Sequence, residues 1–420
     1  MTAQQAPAAS RSTGGCPVGH TSQLGSDEDR VRVYSPEFAA DPHGAYGEMR
    51  RRHGSLVPIE LSQGVSATLV IGYQEAVRIL NDPEHFPADP RIWQKSLTSD
   101  SPIRPMMEWH PNAQRNSGAA HARYRGAYST SIEGIDLHEL HSMVERFAVP
   151  LINTFCRAGT ANLVTQYAFP LVCAVFNEIV GCPSALGHRV TAGMAMLVEA
   201  VDPVGGMRML SSALTELIRL RRAAPGDDVA SRLAHHWSNL TDDEMLSQLV
   251  GLYGAAIEPQ QNLMTSAVLL MLTDGRSTDD VLDGGLSSRD ALDEVLFSDP
   301  PVANMCITYP RQPIVVADTW LPAHQPVLIS LAACNNDPAV RSGDRTGNRA
   351  HLAWAVGPHA CPAKTVASVV VREAIDQLFD ALPDMRLAVP RSHLFWRPGP
   401  FHRALAALPV VFPKSPPLMM

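Results

Sequence analysis

Charge is scarce in this sequence, and so are long apolar runs. Of its 420 residues 18% are charged and 45% are hydrophobic, which is enough apolar material for a large core. The net charge of −8 disfavours a general nucleic-acid-binding protein, because phosphate contacts need a basic surface. No apolar run reaches the ~18 residues that span a bilayer, so we expect a soluble protein without membrane segments.

The cysteines lack the spacing of a structural site. There are seven of them, an odd number at wide intervals, and no two form a CxxC pair. This pattern disfavours a disulfide framework or a zinc site, and it fits a protein of the reducing cytoplasm. The cysteines are Cys16, Cys156, Cys173, Cys182, Cys306, Cys334 and Cys361.

The N-terminal segment has no apolar stretch of the kind that a signal peptide needs. Residues 1–30 are rich in small and polar side chains, and we predict a mostly disordered tail there. No internal repeat and no low-complexity linker divides the rest of the chain. We therefore expect one large domain over residues 31–420.

Apolar periodicity predicts a mainly α-helical fold with a small β portion. Residues 42–53 are typical of a short helix, and a β-rich stretch at 66–73 leads into a helix at 74–82. Many Pro, Asp and Ser residues predict a long loop at 84–120, and loops of that length are usually functional. Helical spacing then dominates from 121 to 275.

One helical segment, residues 241–275, stands out by its apolar character. It opens with a threonine cap and three acidic residues, which suit a helix N-terminus, and it is apolar nearly all round. Such a helix runs through the middle of a protein. Farther on we predict a helix at 288–297, strands and turns at 312–331, and a final helix at 361–382.

The stretch HLAWAVGPHACPAK, residues 351–364, places Cys361 where a turn becomes a helix. Gly357 allows backbone angles that other residues avoid, and Pro358 stiffens the loop. Backbone N–H groups of a first helical turn point at such a sulfur, and the helix dipole favours its anion, which lowers a thiol pKa. The alternative is a buried thiol that acts as a small hydrophobe.

The same residues form a pattern that resembles the haem loop of the cytochrome P-450 superfamily, the haem-thiolate monooxygenases. That loop reads FxxGxHxC with a glycine two residues later, and this chain has Trp354, Gly357, His359 and Cys361 in register. It departs from the pattern at Trp354, in place of Phe, and at Ala363, in place of Gly.

Three further segments lie in the order that the superfamily shows. SGAAHARYRGAYS (117–129) is similar to its C helix, and DPPV (299–302) and LPAHQPVLISLAACNNDP (321–338) are similar to its segments before the haem loop. The resemblance covers nearly all of residues 30–415. It implies a single-domain P-450 fold, a triangular prism with haem between the central I helix and the cysteine-bearing L helix.

The resemblance implies haem b as the cofactor, with the Cys361 thiolate as the metal ligand. A thiolate ligand pushes electron density onto iron and favours O–O cleavage. Charged and N–H side chains suit the haem propionates, which are anions; for His121 and Arg125 the alternative is a surface helix pair. The implied cofactor-binding residues are Cys361, His359, His121, Arg125, Arg311, Trp354, Gly357 and Ala255.

The central helix departs from the superfamily in the stretch GAAIEPQQNL. An acid followed by a threonine is expected there, since the two help to deliver protons to oxygen. Glu258 holds the acid position, Pro259 replaces the threonine, and Gln260 follows. These three are the candidate catalytic residues. Proline removes a helical hydrogen bond and the hydroxyl is lost, whereas the glutamines are alternatively polar groups satisfied within the core.

The superfamily's ExxR motif is also incomplete. The aligned residues are EVLF, so Glu294 is present but Phe297 stands for the arginine. No salt bridge forms between these two positions. Glu294, if buried, needs another donor, since an unpaired buried charge is costly.

These features leave three hypotheses. The first is a cytoplasmic monooxygenase that oxidises a small organic or natural-product substrate with O2 and electrons from ferredoxin and ferredoxin reductase. Arg123, Lys364 and Arg372 would help an acidic ferredoxin to dock. The second is a peroxide-using or oxidative coupling or rearrangement enzyme, which Pro259 favours. The third is a catalytically impaired haem- or ligand-binding relative with a regulatory role.

Overall fold

Helices form most of the regular structure, and short strands form the rest. The computed structural model describes residues 30–99, 101–273, 286–340 and 348–419. The predicted tail therefore lies outside the described residues except for its last position. Within the described ranges the helices are α1 (Pro36–Ala40), α2 (Pro42–His53), α3 (Tyr73–Leu80), α4 (Arg104–Met107), α5 (Gly118–Glu133), α6 (Glu139–Phe155), α7 (Phe169–Val180), α8 (Ser184–Val198), α9 (Pro203–Ala223), α10 (Val229–Ala234), α11 (Asp242–Thr273), α12 (Ser288–Ser298), α13 (Leu331–Asn335) and α14 (Lys364–Ala381).

The strands build a mixed sheet and two smaller ones. The largest sheet has the order β1-β2-β3-β8-β5, in which β1 with β2 and β3 with β8 are parallel. A second sheet has the order β4-β10-β9, and β6 pairs with β7 in a hairpin. The strands are β1 (Val31–Arg32), β2 (Leu56–Ser62), β3 (Val65–Val70), β4 (Thr160–Asn162), β5 (Asn304–Thr308), β6 (Ile314–Val316), β7 (Thr319–Leu321), β8 (Val327–Ser330), β9 (Arg386–Leu387) and β10 (Pro409–Val411).

The largest sheet is buried on both faces. Along β2, Val57 and Ile59 join an apolar cluster with α2, whereas Leu56 joins a cluster with α3. Successive side chains of a strand point to opposite faces, so each face packs against different helices. The sheet thus carries α3 and α13 at fixed positions beside the cysteine loop.

The central helix α11 begins with a reciprocal cap. The N–H of Glu244 donates to Thr241 Oγ1 at 3.2 Å, and the N–H of Thr241 donates to Glu244 Oε2 at 2.9 Å. This capping box satisfies two N–H groups that have no partner inside the helix. The predicted cap and the predicted burial of this helix are therefore confirmed.

The main apolar core surrounds α11, which packs against α7, α9, α12 and α14. Helices α8 and α9 pack on each other at very short range. A Cβ on Gly193 would lie 2.9 Å from the Gly206 carbonyl oxygen, so these two glycines allow the close crossing. The α8–α9 pair forms one side of the helical part of the molecule.

Several sequence predictions differ from the structure in detail. Residues 84–120 contain short helical turns, including α4 and a 3-10 turn at Trp93–Ser96, rather than one loop. Strand β2 was not anticipated, because its continuous apolar run lacks the alternation of a half-buried strand. The last helix starts at Lys364, three residues later than predicted. Among the described helices, none has the length and apolarity to cross a membrane.

Pro259 lies inside α11 without ending it. Because proline has no N–H, the Ala255 carbonyl loses its helical partner, and we expect Pro259→Ala to raise the free energy of unfolding by about 1–3 kcal/mol. Thermal unfolding followed by circular dichroism measures this gain. Pro203→Ala is the matched control, since a proline at the first position of α9 costs no hydrogen bond. An unchanged or lower midpoint for Pro259→Ala would contradict the prediction.

Candidate active site

Cys361 lies in a tight loop just before α14. The N–H of Cys361 donates to the Trp354 carbonyl at 2.8 Å, and the N–H of Ala360 donates to the Gly357 carbonyl at 3.1 Å. These bonds fold the loop back on itself. The backbone N–H of Ala363, at the start of the helix, opposes the rise in the pKa of the Cys361 thiol.

Gly357 fixes how this loop meets the rest of the protein. Its φ is +76°, in the left-handed region, and a Cβ there would lie 2.2 Å from the Leu80 carbonyl oxygen. Ala355 also has a positive φ of 55°. The loop is therefore seated on the C-terminal end of α3, and only glycine fits at the contact.

The pKa of the Cys361 thiol differs from the sequence expectation. Burial raises it, while the Ala363 N–H, Arg125 and Lys364 oppose that shift. The loop provides the predicted stabilisation of an anion, but desolvation outweighs it in the metal-free protein. This is no obstacle to a ligand role, because a metal ion deprotonates a coordinating thiol outright.

Four cationic or N–H-bearing side chains gather beside the loop. The rings of His121 and His359 lie 4.1 Å apart, and the Arg125 guanidinium donates to the Ala360 carbonyl. Burial lowers the pKa of His359 to about 3, and His121, Arg125 and Arg115 lower it further by repulsion. The structure thus brings together His121, Arg125 and His359, as the sequence predicts.

This group of four, the cation cluster (Arg115, His121, Arg125 and His359), has no acidic partner in the part of the chain that the structure describes. Among the described residues, no carboxylate forms an ion pair with either of its arginines, and the His121 Nε2 atom is buried without a hydrogen-bond partner. Uncompensated charge is costly inside a protein. The cluster therefore suits an anionic ligand.

Arg311, in contrast, lies away from this cluster. Its Nε donates to the Glu84 carbonyl at 2.6 Å, its N–H donates to the His85 carbonyl at 3.0 Å, and its side chain is exposed. In this structure, Arg311 is therefore not brought together with the cluster. Arg115 is the additional arginine of the cluster, and it was missed because it lies in the segment interpreted as a featureless loop.

A second thiol lies near the same cluster. Cys306 has a positive φ of 53°, at the irregular register between Met305 and Thr308 in β5. Burial raises the pKa of the Cys306 thiol to about 12, while Arg115 lowers it and Cys361 raises it. Cys306 thus shares the electrostatic environment of Cys361, yet its environment favours the neutral thiol.

The middle of α11 is open where the helix should be most buried. Gly254 and Ala255 are exposed, and a Cβ on Gly254 would meet nothing within 4 Å. The residues before and after them, including Tyr253 and Ile257, are buried. Small side chains therefore line an open space beside the central helix at the predicted position of Ala255.

Glu258 is held by the C-terminal segment. The Arg397 guanidinium donates to Glu258 Oε1, and the same guanidinium donates to the Val198 carbonyl at 2.6 Å. The His402 Nδ1 atom lies 3.8 Å from Glu258 Oε1. Glu258 is thus a paired carboxylate rather than an isolated acid.

The polar residues that follow Pro259 are only partly satisfied. Gln260 Nε2 donates to the Ala256 carbonyl at 3.2 Å, but its Oε1 atom is buried without a partner. Gln261 Oε1 and both polar side-chain atoms of Asn262 are also buried and unpartnered. Within the protein, these groups thus lack some of the hydrogen bonds that their buried atoms can make.

Asn335 joins the elements that the ExxR arginine would have held. Its Nδ2 donates to the Leu296 carbonyl at 3.1 Å, and its Oδ1 accepts the Leu352 N–H at 2.6 Å. The Phe297 ring meets the His351 ring edge to face, with centroids 6.1 Å apart. Helix α12 is therefore tied to the start of the cysteine loop by an amide and an aromatic contact.

An ion pair supports the same junction, since Arg349 Nη2 lies 3.0 Å from Asp293 Oδ2. Both partners are partly exposed, so its contribution is modest. Glu294 also has an interaction partner, and its carbonyl accepts the Ser298 hydroxyl at 2.8 Å.

Comparison with known proteins shows which proteins the chain is similar to. No protein-family model matches the chain. It is 27% identical over 394 residues to the cytochrome P-450 monooxygenase PikC of Streptomyces venezuelae, covering 89% of this chain and 92% of that one. It is also 27% identical over 405 residues to the mycinamicin IV hydroxylase/epoxidase of Micromonospora griseorubida, covering 92% of this chain and 100% of the relative.

Solved structures show the same fold. CYP154C4 from Streptomyces sp. ATCC 11861 superposes with a TM-score of 0.82 at 23% identity, covering 92% of this chain and 98% of that one. The chain therefore has the mainly α P-450 fold, and its similarity to curated cytochrome P-450s over about nine-tenths of its length supports that superfamily. By its relatives, which are named monooxygenases, hydroxylases and epoxidases, it is a P-450-type monooxygenase.

The superfamily implies a haem cofactor, and the residues of this site fit one. Haem is a flat, apolar macrocycle with two anionic propionates and an iron that accepts a thiolate. The chain supplies a sulfur at Cys361, cations without acidic partners, an unpartnered His121 Nε2, and open space at Gly254.

We expect Gly357→Ala to disrupt the cysteine loop. The new Cβ would collide with a backbone oxygen that has no room to move, in addition to the strain of a positive φ, at a cost of about 4 kcal/mol. The midpoint of thermal unfolding and the bound haem content both measure the effect. Gly64→Ala is the matched control, with φ +75° and open space, and it should cost only about 1–2 kcal/mol. Equal effects of the two substitutions would contradict the contact with Leu80.

We expect Asn335→Ala to destabilise the protein by about 2–5 kcal/mol, because it leaves the Leu296 carbonyl and the Leu352 N–H buried without partners. Denaturant unfolding of both proteins measures the difference. Asn81→Ala removes one exposed hydrogen bond to the Val77 carbonyl and serves as the control, with little effect expected. A loss no larger than that of the control would show that Asn335 does not hold this junction.

Proposed function

We propose that the chain is a haem-thiolate monooxygenase in which Cys361 is the iron ligand and the cofactor is haem b. The observation that carries the proposal is the cation cluster, which lies beside the cysteine loop and pairs with no carboxylate among the described residues. Haem bound there supplies the oxidising chemistry, inserting one atom of O2 into the substrate while the other leaves as water.

The chain's own residues have separate roles in this proposal. Arg115, His121, Arg125 and His359 hold the two propionates through charge and N–H groups. A ring N–H of His359 would donate a hydrogen bond to a propionate oxygen. In addition, the Trp354 side chain packs on the sulfur side.

On the other side, small residues of α11 leave room for the reacting molecule. The open space at Gly254 and Ala255 supports an apolar substrate of moderate size in contact with this helix. Relatives named for mycinamicin IV and for polyketide biosynthesis support a natural product as that substrate. We therefore propose oxidation of a natural product.

Ferredoxin and ferredoxin reductase are the proposed source of electrons. Of the three basic residues expected to dock ferredoxin, Arg123 pairs with Glu244 at 2.6 Å and Arg372 pairs with Glu373 at 2.6 Å. Lys364 is exposed, and no carboxylate pairs with it among the described residues. Lys364, beside the cysteine loop, is the member of the three whose charge remains available to an acidic partner.

A peroxide-using enzyme is the second candidate. It is favoured by Pro259, which lacks the hydroxyl of the usual threonine, and by the Gln260 Oε1 atom, which has no partner. Faster turnover with hydrogen peroxide than with O2 and reductant would select it. Haem binding without turnover by either oxidant would select the third candidate, the impaired relative.

The absorption spectrum of the reduced protein under carbon monoxide tests the ligand. We expect the long-wavelength Soret band of a thiolate-ligated haem, because Cys361 supplies the sulfur, and we expect Cys361→Ser to abolish it. Cys306→Ala is the control, since Cys306 is the thiol that shares the environment of Cys361. A band that survives in Cys361→Ser but disappears in Cys306→Ala would overturn the assignment, and so would the absence of haem.

A further inference from the structure

A path of polar groups leads from Glu258 to the protein surface. The first member is His402, whose Nδ1 lies 3.8 Å from Glu258 Oε1. The other ring nitrogen of His402, Nε2, is buried and has no hydrogen-bond partner. A buried polar atom without a partner usually marks a place for water or for a function.

A small cavity adjoins this histidine. Its volume is about 10 Å³, the space of one water molecule, and its lining includes polar side chains from three parts of the chain: α2, the end of α12 and the C-terminal segment. These side chains are His402, Asp299, Tyr46, Arg397 and Arg403. A water there would find both the open His402 nitrogen and a carboxylate among its neighbours.

Asp299 connects the cavity with the surface. Its Oδ1 lies 3.5 Å from His43 Nε2, and its Oδ2 accepts a hydrogen bond from Arg403 Nε at 2.9 Å. The His43 side chain is 43% exposed, so it reaches solvent directly. From solvent to the central helix, the order of the path is therefore His43, Asp299, the cavity, His402 and Glu258.

We propose that His402 relays protons from solvent to Glu258, by way of His43, Asp299 and one water in the cavity. This inference rests on the proposed function, because a monooxygenase consumes two protons for each O2. It gives the chain a supply of protons that does not depend on the hydroxyl lost at Pro259.

The surroundings of His402 suit a relay. Burial lowers the pKa of His402, the Glu258 carboxylate raises it, and Arg397 lowers it. A neutral imidazole offers one nitrogen as donor and the other as acceptor, so it passes a proton without storing charge. Gly399 allows the ring to lie close to the backbone, since a Cβ there would lie 2.5 Å from the His402 Cε1 atom.

The relay transfers protons only, and no group in it is oxidised or reduced. The cavity water gives a proton to His402 Nε2, and the Nδ1–H bond breaks as its proton passes to Glu258. The Asp299 carboxylate takes a proton from His43 and passes it to the water, and His43 regains a proton from solvent. When Glu258 gives up its proton, each group has its starting charge, and the imidazole returns to its first tautomer before the next transfer.

The first test needs no catalysis. Exchange of the histidine C2 proton, followed by mass spectrometry across pH, gives the pKa of each histidine. In Glu258→Gln we expect the His402 pKa to fall, because the carboxylate that raises it is gone, while that of His85, which pairs with Asp82 at the surface, stays constant. An unchanged His402 pKa would overturn the contact on which the relay depends.

The second test separates O2 from peroxide. Without added substrate, oxygen uptake driven by NADPH, ferredoxin and ferredoxin reductase reduces O2 with two electrons and two protons to hydrogen peroxide. We expect His402→Gln to slow it about tenfold or more, and guaiacol oxidation by hydrogen peroxide, which brings its own protons, to change less than about twofold. His85→Gln should alter neither rate.

The outcomes distinguish the relay from the proposed function. If His402→Gln retains the carbon monoxide band and both rates, the relay is refuted while the haem-thiolate assignment stands. If both rates fall together, His402 has a structural role and the relay is equally refuted. If the unaltered protein shows no such band, the proposed function fails, and the exchange measurement still decides whether Glu258 and His402 interact.

Discussion

The rest of the site depends on positive charge that is buried beside Cys361 without an acidic partner among the described residues. Arg115, His121, Arg125 and His359 are brought together beside Cys361 at the expense of solvation, and the described residues supply no acid to balance them. Such a group is stable in a folded protein when an anion completes it. The fold of the apoprotein and the binding of its cofactor are therefore coupled, as the seat of the cysteine loop on α3 also indicates.

The chain keeps the architecture of its superfamily while changing two of its motifs. Near the incomplete ExxR motif on α12, the Asn335 amide is hydrogen-bonded to two backbone groups. Asn335 thus connects the segments that the arginine of the complete motif would hold. At the central helix, Pro259 is accommodated because Ala255, whose carbonyl it frees, borders an open space rather than a packed core. In both places the helix concerned is retained, since α11 continues through Pro259 and α12 ends at Ser298 beside Asn335.

Local signals in the sequence predicted the fold and part of the site. The α11 cap and the loop of Cys361 were predictable because their residues interact within a few positions of one another. Arg115 and Asn335 were not, since their roles depend on partners far along the chain that only tertiary packing brings near. Arg311 was misplaced for the same reason, because periodicity does not show which way an irregular segment turns.

The Arg397 side chain connects helix α8 with the central helix α11. One guanidinium binds the Val198 carbonyl at the C-terminal end of α8 and the Glu258 carboxylate on α11. A displacement of that end of α8 breaks the first bond and changes the surroundings of the carboxylate in the same movement. Access from the α8 side and the position of the Glu258 side chain are thereby mechanically joined, so a large molecule that shifts this end of α8 also shifts the hydrogen-bond partner of Glu258.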